Sequence, residues 1–154
     1  MKRAGFTLIE LTMVMAVTAV VMGLGVASFT GLFQKNAARY AARLFAQDLV
    51  AARSFAVRSQ EPVVIRFYEA TLRYEVEGRS SLIGIARRRF GADGEIDLSA
   101  VTLDLAGDSL VFDVRGMADL GGASGALGVA TFSSGATSYT VSFNGMGASK
   151  IEQT

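Results

Sequence analysis

The sequence predicts an α+β protein in which one long N-terminal helix packs on a small antiparallel β-sheet head. Three observations predict this class. Residues 6–33 form an apolar run with a single charge, and residues 34–60 place apolar side chains at helical spacing. Beyond Pro62 the apolar residues recur at every second position, as in half-buried strands. With 154 residues in all, the chain has room for one modest core and not for two.

The apolar run at 6–33 is predicted to cross a membrane as a helix. A bilayer core of about 30 Å needs about 20 helical residues, and Glu10 is the one charge in the run. Lys2 and Arg3 precede it, so the positive-inside rule places the N-terminus in the cytoplasm. A secretory signal cut near 26–28 and a plain membrane anchor are the alternatives. The first expects a shorter apolar core, and neither accounts for Glu10.

Glu10 is the informative residue of this segment. A carboxylate in hydrocarbon is costly unless it is paired, and no Lys or Arg lies within helical reach on its C-terminal side. An amine becomes available if the chain is cut after Gly5, because Phe6 then carries a free N-terminus one helical turn away. That amine could belong to the same chain or to a neighbouring one. We therefore predict that Glu10 is an assembly residue.

The residues at 5–11, GFTLIEL, follow a basic leader and precede a long apolar run. They resemble the processing motif of type IV prepilins and type II secretion pseudopilins. The resemblance implies that residues 1–5 are a leader peptide, that a prepilin peptidase cleaves after Gly5, and that Phe6 is then N-methylated. It further implies that Glu10 pairs with the Phe6 amine of an adjacent subunit.

The same resemblance implies partners and a location. The partners are the prepilin peptidase, other pilins or pseudopilins, and an inner-membrane assembly platform. The location is the bacterial inner membrane, crossed once by residues 6–33, with the C-terminal head in the periplasm.

Residues 34–60 are predicted to continue the helix as an amphipathic segment, which ends before Pro62. Many family members carry a kinking proline inside the membrane span, but Pro62 is the one proline here. Gly23 and Gly25 lie in the middle of the span instead, which predicts either local melting during assembly or close packing between helices. The apolar stripe of the amphipathic segment comprises Ala41, Leu44, Phe45, Leu49, Ala52, Phe55 and Ala56.

Residues 61–154 are predicted to form the β-rich head. A hairpin is predicted from 63–68 and 72–76, with its turn at 69–71. Turn signals follow at 107–108 and 133–135. Further strands are predicted at 101–105, 109–114, 128–132, 139–143 and, at the tail, 150–152.

The head resembles that of the GspH/FimT type of minor pseudopilin. The likeness rests on the arginine-bearing helix at 42–54, the strand that follows Pro62, and the segments at 111–118 and 139–147. It implies the type IV pilin fold and a minor subunit that primes or assembles near the tip of a periplasmic pseudopilus in type II protein secretion. The alternative is a type IV pilus minor pilin that binds DNA for natural transformation. Some relatives use a basic segment near the C-terminus for that purpose, and the corresponding stretch here, 147–150, has one basic residue.

Composition excludes several kinds of chemistry. The chain has no Cys and no His, so it cannot build the common zinc sites, a Ser-His-Asp triad or a cysteine nucleophile. We therefore predict neither an enzyme nor a cofactor. Asp93, Glu95 and Asp97 alternate as calcium ligands can, but the EF-hand glutamate at position 12 and the central glycine are missing. No metal site is predicted.

The densest basic run is Arg87, Arg88 and Arg89. It is a candidate for a weak nucleic-acid contact through phosphates, and a solvated loop is the alternative. The surrounding charge is asymmetric: residues 34–90 hold eleven basic and five acidic side chains, whereas residues 91–154 hold two and eight. This layout favours contacts between the head and a neighbour or a local basic patch, and ordinary solvated surface charge is the alternative.

Overall fold

The computed structural model describes residues 7–105, 109–120 and 126–154, with the side chains of 24–30 left out. The chain divides into two compact units, Met1–Phe33 and Gln34–Thr154. The cleavage and methylation predictions at Gly5 and Phe6 fall outside the described residues, as does the predicted turn at 107–108.

The first unit is helical. Helix α1 runs from Leu8 to Ser59 and therefore begins in this unit and ends in the second. It begins after Thr7 because the Thr7 hydroxyl accepts a hydrogen bond from the Glu10 amide at 3.3 Å, which satisfies one of the free donors of the first turn. The side chains at 7–23 are all exposed. Among the described residues, no helix is long and apolar enough to cross a membrane.

In the second unit, the rest of α1 buries one face. Seven residues at helical spacing are fully buried, and five of them are alanine, so the helix backbone can lie close to the strands. The helix ends at Ser59, and Gln60 takes a left-handed conformation with φ of 53°. The stripe predicted from the sequence is confirmed, with Leu44 and Phe55 packed at its edge. The fully buried residues are Ala38, Ala41, Ala42, Phe45, Leu49, Ala52 and Ala56.

Nine described strands form two antiparallel sheets, where the sequence predicted a single small one. The first sheet has the order β3-β2-β1-β5-β6, and the second has the order β4-β7-β8-β9. The strands are β1 (Val63–Tyr68), β2 (Arg73–Gly78), β3 (Gly84–Arg89), β4 (Ala100–Asp104), β5 (Ser109–Phe112), β6 (Ala118–Asp119), β7 (Gly128–Ser134), β8 (Thr137–Phe143) and β9 (Ser149–Gln153).

The predicted strands are present, with two additions and one shifted turn. The β1–β2 hairpin is confirmed, and a 3-10 turn at Glu69–Thr71 connects its strands. Residues 133–134 were predicted to turn, but they extend β7, and the chain reverses at Gly135 with φ of 57°. Strands β3 and β6 were not predicted. The solvated loop considered for 87–89 is in fact the end of β3.

The centre of the core is the ring of Phe45 on α1. Its centroid lies 5.4 Å from those of Phe67 and Tyr74, which belong to the first sheet. It lies 5.5 Å from Phe132 and 5.9 Å from Phe143, which belong to the second. Burial of each such ring contributes about 1.5–3 kcal/mol, and the edge-on geometry of several of these pairs adds to it. One helix residue therefore holds the two sheets together.

Candidate assembly surfaces

The first candidate surface is the start of α1. Glu10 lies in the first helical turn, where a negative charge is favoured by the helix dipole. Its carboxylate has no hydrogen bond or ion pair with any described residue. It is therefore available to an amine from outside the described part of the chain.

The same segment exposes an unusually large apolar surface. Its long aliphatic side chains are each at least half exposed, and a surface of this kind needs lipid or other helices to cover it. The exposed residues are Leu8, Ile9, Leu11, Met13, Val14, Met15, Val17, Val20, Val21 and Met22.

The second candidate is the arginine run, and strand alternation separates its members. Arg88 points inward, and its guanidinium grips Asp48 of α1, with Nε to Oδ2 at 3.0 Å and Nη2 to Oδ1 at 3.3 Å. Tyr74 donates its hydroxyl proton to the same Oδ2 at 2.8 Å. Glu95 lies 3.6 Å from Arg88 on the other side. The bonds from Asp48 to Tyr74 and Arg88 tie the helix to β2 and β3 respectively.

Electrostatics fix the protonation states in this network. Burial raises the pKa of the Tyr74 phenol, and the nearby Asp48 charge raises it further, so the phenol stays protonated. The hydrogen bonds to Asp48 raise the pKa of Arg88 although burial opposes them. Sequence analysis missed Asp48, because its partners are 26 and 40 residues away and no local pattern marks them.

The other two arginines point outward. Arg87 pairs with Glu75 at 2.9 Å. Arg89 is exposed and has no carboxylate partner among the described residues. The run is therefore not a block of three free cations: two of its members are already neutralised by carboxylates.

The third candidate surface includes two loops of the same geometry. In the first, Asp113 Oδ1 accepts the amide protons of Arg115 at 2.9 Å and Met117 at 2.8 Å. Its fourth residue, Gly116, has φ of 75°. The Met117 amide lowers the pKa of the exposed Asp113 carboxyl most, and Arg115 lowers it further.

The second loop repeats this arrangement 31 positions later, with an amide in place of the carboxylate. Asn144 Oδ1 accepts the amide protons of Met146 and Ala148, both at 3.0 Å. Its fourth residue, Gly147, has φ of 74°. The loops are joined directly, because the amide of Ala118, which follows the first loop, donates to the Gly145 carbonyl in the second at 2.6 Å.

Both loops lie against the exposed side of α1. A Cβ at Gly116 would lie 2.9 Å from Val57 Cγ2 and 3.0 Å from Arg53 Cγ, so glycine is required for this approach. The second loop and the helix enclose a groove of about 640 Å³ whose lining includes Val57, Arg53, Arg58 and Met146. A lining that combines apolar and basic side chains suits a protein-contact surface.

The acidic triplet of Asp93, Glu95 and Asp97 lies between β3 and β4. Glu95 is within ion-pair distance of Arg88. Within residues 7–105, 109–120 and 126–154, no three acidic side chains converge as a metal site would require.

Comparison with known proteins gives matches at the N-terminus and over the fold. Residues 1–26 match the family model of the prokaryotic N-terminal methylation motif. The type IV minor pilin FimU of Pseudomonas aeruginosa superposes with a TM-score of 0.58 at 17% identity, over 79% of this chain and 92% of FimU. FimU in a second crystal form superposes with a TM-score of 0.54 at 18% identity, over 74% of this chain and 91% of FimU.

The minor pseudopilin EpsH from the Type 2 Secretion System of Vibrio cholerae superposes with a TM-score of 0.51 at 14% identity. The match covers 75% of this chain and 95% of EpsH. No curated protein sequence is a significant match to this chain.

The chain is therefore similar to pilins in its N-terminal motif and in its fold. It carries a prepilin-type methylation motif and has the type IV pilin fold, that of a minor pilin and a minor pseudopilin. This confirms the predicted fold class, and the family model covers the motif that the sequence analysis identified at 5–11.

Proposed function

We propose that this chain is a minor pseudopilin that primes or assembles near the tip of a periplasmic pseudopilus in type II protein secretion. The observation that carries the proposal is a methylation motif at 1–26 followed by a head with the minor pilin fold. In this proposal the role is structural and not catalytic. Residues 6–33 anchor the chain in the inner membrane before assembly, and the head stays in the periplasm.

The exposed apolar side chains of the first unit support this role. In the membrane, lipid covers them, and in a filament the helices of neighbouring subunits replace the lipid. A carboxylate transferred with them into a helix bundle with little water must be paired. Glu10 then pairs with the Phe6 amine of an adjacent subunit, and the pair reports the correct axial stagger.

DNA binding for natural transformation is the alternative, and the arginine geometry disfavours it. Affinity for a phosphate backbone grows with the number of free cations along its path. Arg87 and Arg88 are paired with Glu75 and Asp48, and Lys150 near the C-terminus is paired with Glu152. We expect weak, salt-sensitive binding at most.

The processing step is tested by co-expression with a prepilin peptidase and mass spectrometry of the product. The chain should lose five residues and gain one methyl group on Phe6. Gly5→Val should block the cut, because a side chain there obstructs the peptidase, whereas Ala4→Val leaves the glycine in place and should be cut. An uncut wild-type chain, or one that starts at Ser28, would refute the proposal.

The assembly step is tested by crosslinking to partner pseudopilins at equal membrane levels. Glu10→Ala and Glu10→Gln should both be inserted and cleaved normally, but both should crosslink less, since each lacks the charge. Glu152→Gln makes the same charge change on an exposed strand and should crosslink as wild type does. Equal crosslinking by all four proteins would remove the pairing role.

The filament system is tested by deleting the gene. Loss of exported enzymes from the medium with normal twitching and transformation supports the type II assignment. The reverse pattern would assign the chain to a type IV pilus.

A further inference from the structure

Two like charges face each other on adjacent strands at one end of the first sheet. Arg73 of β2 and Arg89 of β3 are direct cross-strand partners, an arrangement that destabilises a sheet unless something compensates. Both line a depression of about 390 Å³, next to the left-handed turns at Leu72 and Gly91.

The other arginines on β1, β2 and β3 have compensating carboxylates. Arg66 pairs with Glu77, and Arg88 pairs with Asp48. Glu75 lies 3.9 Å from Arg73, but it is engaged more closely by Arg87 at 2.9 Å.

Arg73 and Arg89 are therefore the under-compensated pair. Arg89 has no carboxylate partner among the described residues. Asp93 stands on the rim of the depression, and its carboxylate makes no hydrogen bond or ion pair with another described residue. Two arginines and one acidic residue thus line the depression, with positive charge in excess.

The Arg73 side chain is also fixed in place with an unused donor. Its guanidinium lies over the Tyr68 ring, 4.4 Å from the centroid, and such stacking orients the group. Its Nε is shielded from solvent and donates to no acceptor in the described part of the chain. An oxyanion in the depression would relieve the like-charge repulsion between Arg73 and Arg89.

We propose that Arg73 and Arg89 form a binding site for a single carboxylate presented by a partner protein. A planar guanidinium fits a carboxylate with paired hydrogen bonds. A nucleic-acid backbone would need a row of free cations, whereas the arginines beside the pair are already neutralised. Only the identity of the partner rests on the proposed function: the carboxylate would belong to an acidic side chain of a neighbouring filament subunit.

The test is an arginine Nε–H NMR titration of the full chain in detergent. The probe is the capped peptide acetyl-Gly-Glu-Gly-amide, and its twin has Gln in place of Glu. The Arg73 signal, assigned with Arg73→Lys, should shift saturably with the Glu peptide and not with its twin. Arg89→Gln should weaken the response at least tenfold, and Arg115→Gln, the same charge change outside the depression, should leave it unchanged.

Arg89→Gln should also melt no lower than wild type, because it removes a like-charged neighbour from an exposed position. Equal shifts with both peptides, or a response lost equally in Arg115→Gln, would overturn the proposal. If a 12-nucleotide oligo-dT binds ten times more tightly than the Glu peptide at matched ionic strength, the site binds nucleic acid and the carboxylate proposal is wrong. If the leader is not cleaved but the Arg73 signal responds as expected, the proposed function is wrong and the carboxylate site is still supported.

Discussion

Removal of the Asp48 carboxylate should be among the most damaging single changes in the head. Asp48 is 7% exposed, and Asp48→Ala leaves the Tyr74 hydroxyl without its acceptor and the Arg88 guanidinium without its main counter-charge. Breaking a buried ion pair from one side costs about 3–5 kcal/mol. Arg88 keeps some solvent, with 28% of its side chain exposed, and keeps Glu95 at 3.6 Å. We therefore expect a loss of about 2–4 kcal/mol in the free energy of unfolding.

Three companion variants separate the parts of this network. Tyr74→Phe removes one hydrogen bond and should cost about 1 kcal/mol. Asp48→Asn keeps an acceptor for Tyr74 but loses the charge, so it should fall between Tyr74→Phe and Asp48→Ala. Arg87→Gln breaks the neighbouring exposed pair and should cost less than about 1 kcal/mol.

The assay is urea unfolding of the full chain in detergent, followed by tyrosine fluorescence, since the chain has no tryptophan. A double-mutant cycle with Asp48→Ala and Arg88→Met isolates the pair, and the double variant should be no less stable than Asp48→Ala alone. A loss below about 0.5 kcal/mol for Asp48→Ala, the scale of ordinary surface changes, would refute the claim that this network holds α1 to the sheet.

Three further predictions concern glycine, a helix end and pH. Gly128→Ala should cost about 3 kcal/mol by calorimetry, at the upper end for overpacking, because the new Cβ would lie 2.4 Å from the buried Phe143 ring; a neutral result would contradict the close approach. Gln60→Gly should gain about 1 kcal/mol by urea unfolding, since the left-handed φ of 53° suits glycine; a loss would contradict it. The lowered pKa of Asp113 stabilises the fold above about pH 4, the usual range of a free Asp, and that contribution is lost as the pH falls through the folded pKa. Asp113→Asn should therefore keep the loop, as Asn144 does, and should flatten the acid side of a plot of melting temperature against pH. Asp113→Ala should lower the melting temperature near pH 7. An unchanged slope on the acid side in Asp113→Asn would contradict this.

Patterns within short stretches of the sequence predicted the helix and those strands whose apolar residues recur at regular spacing. Helical spacing identified the buried stripe around Phe45, and Pro62 marked the end of α1 to within a few residues. Alternation identified β2, β7 and β8, because burial alternates over at least five residues in each of them.

What the sequence could not predict depends on contacts that are distant along the chain. Strand β3 ends in three arginines and lacks apolar alternation, and Arg88 points inward only because Asp48 receives it from 40 residues away. The division into two sheets is also non-local, since β4 and β5 are consecutive but belong to different sheets. Leader cleavage and the Glu10 pair stay predictions.

The central position of Phe45 constrains the order in which the head can fold. Two of the rings against it, Phe132 and Phe143, lie almost ninety and almost one hundred residues further along the chain. Closing loops of that length is entropically expensive and slow. A nascent chain that has emerged only as far as β3 has its helix and the first hairpin but lacks half of the aromatic cluster. The aromatic cluster therefore cannot be completed until almost the whole chain has emerged, so the core of the head closes late in synthesis.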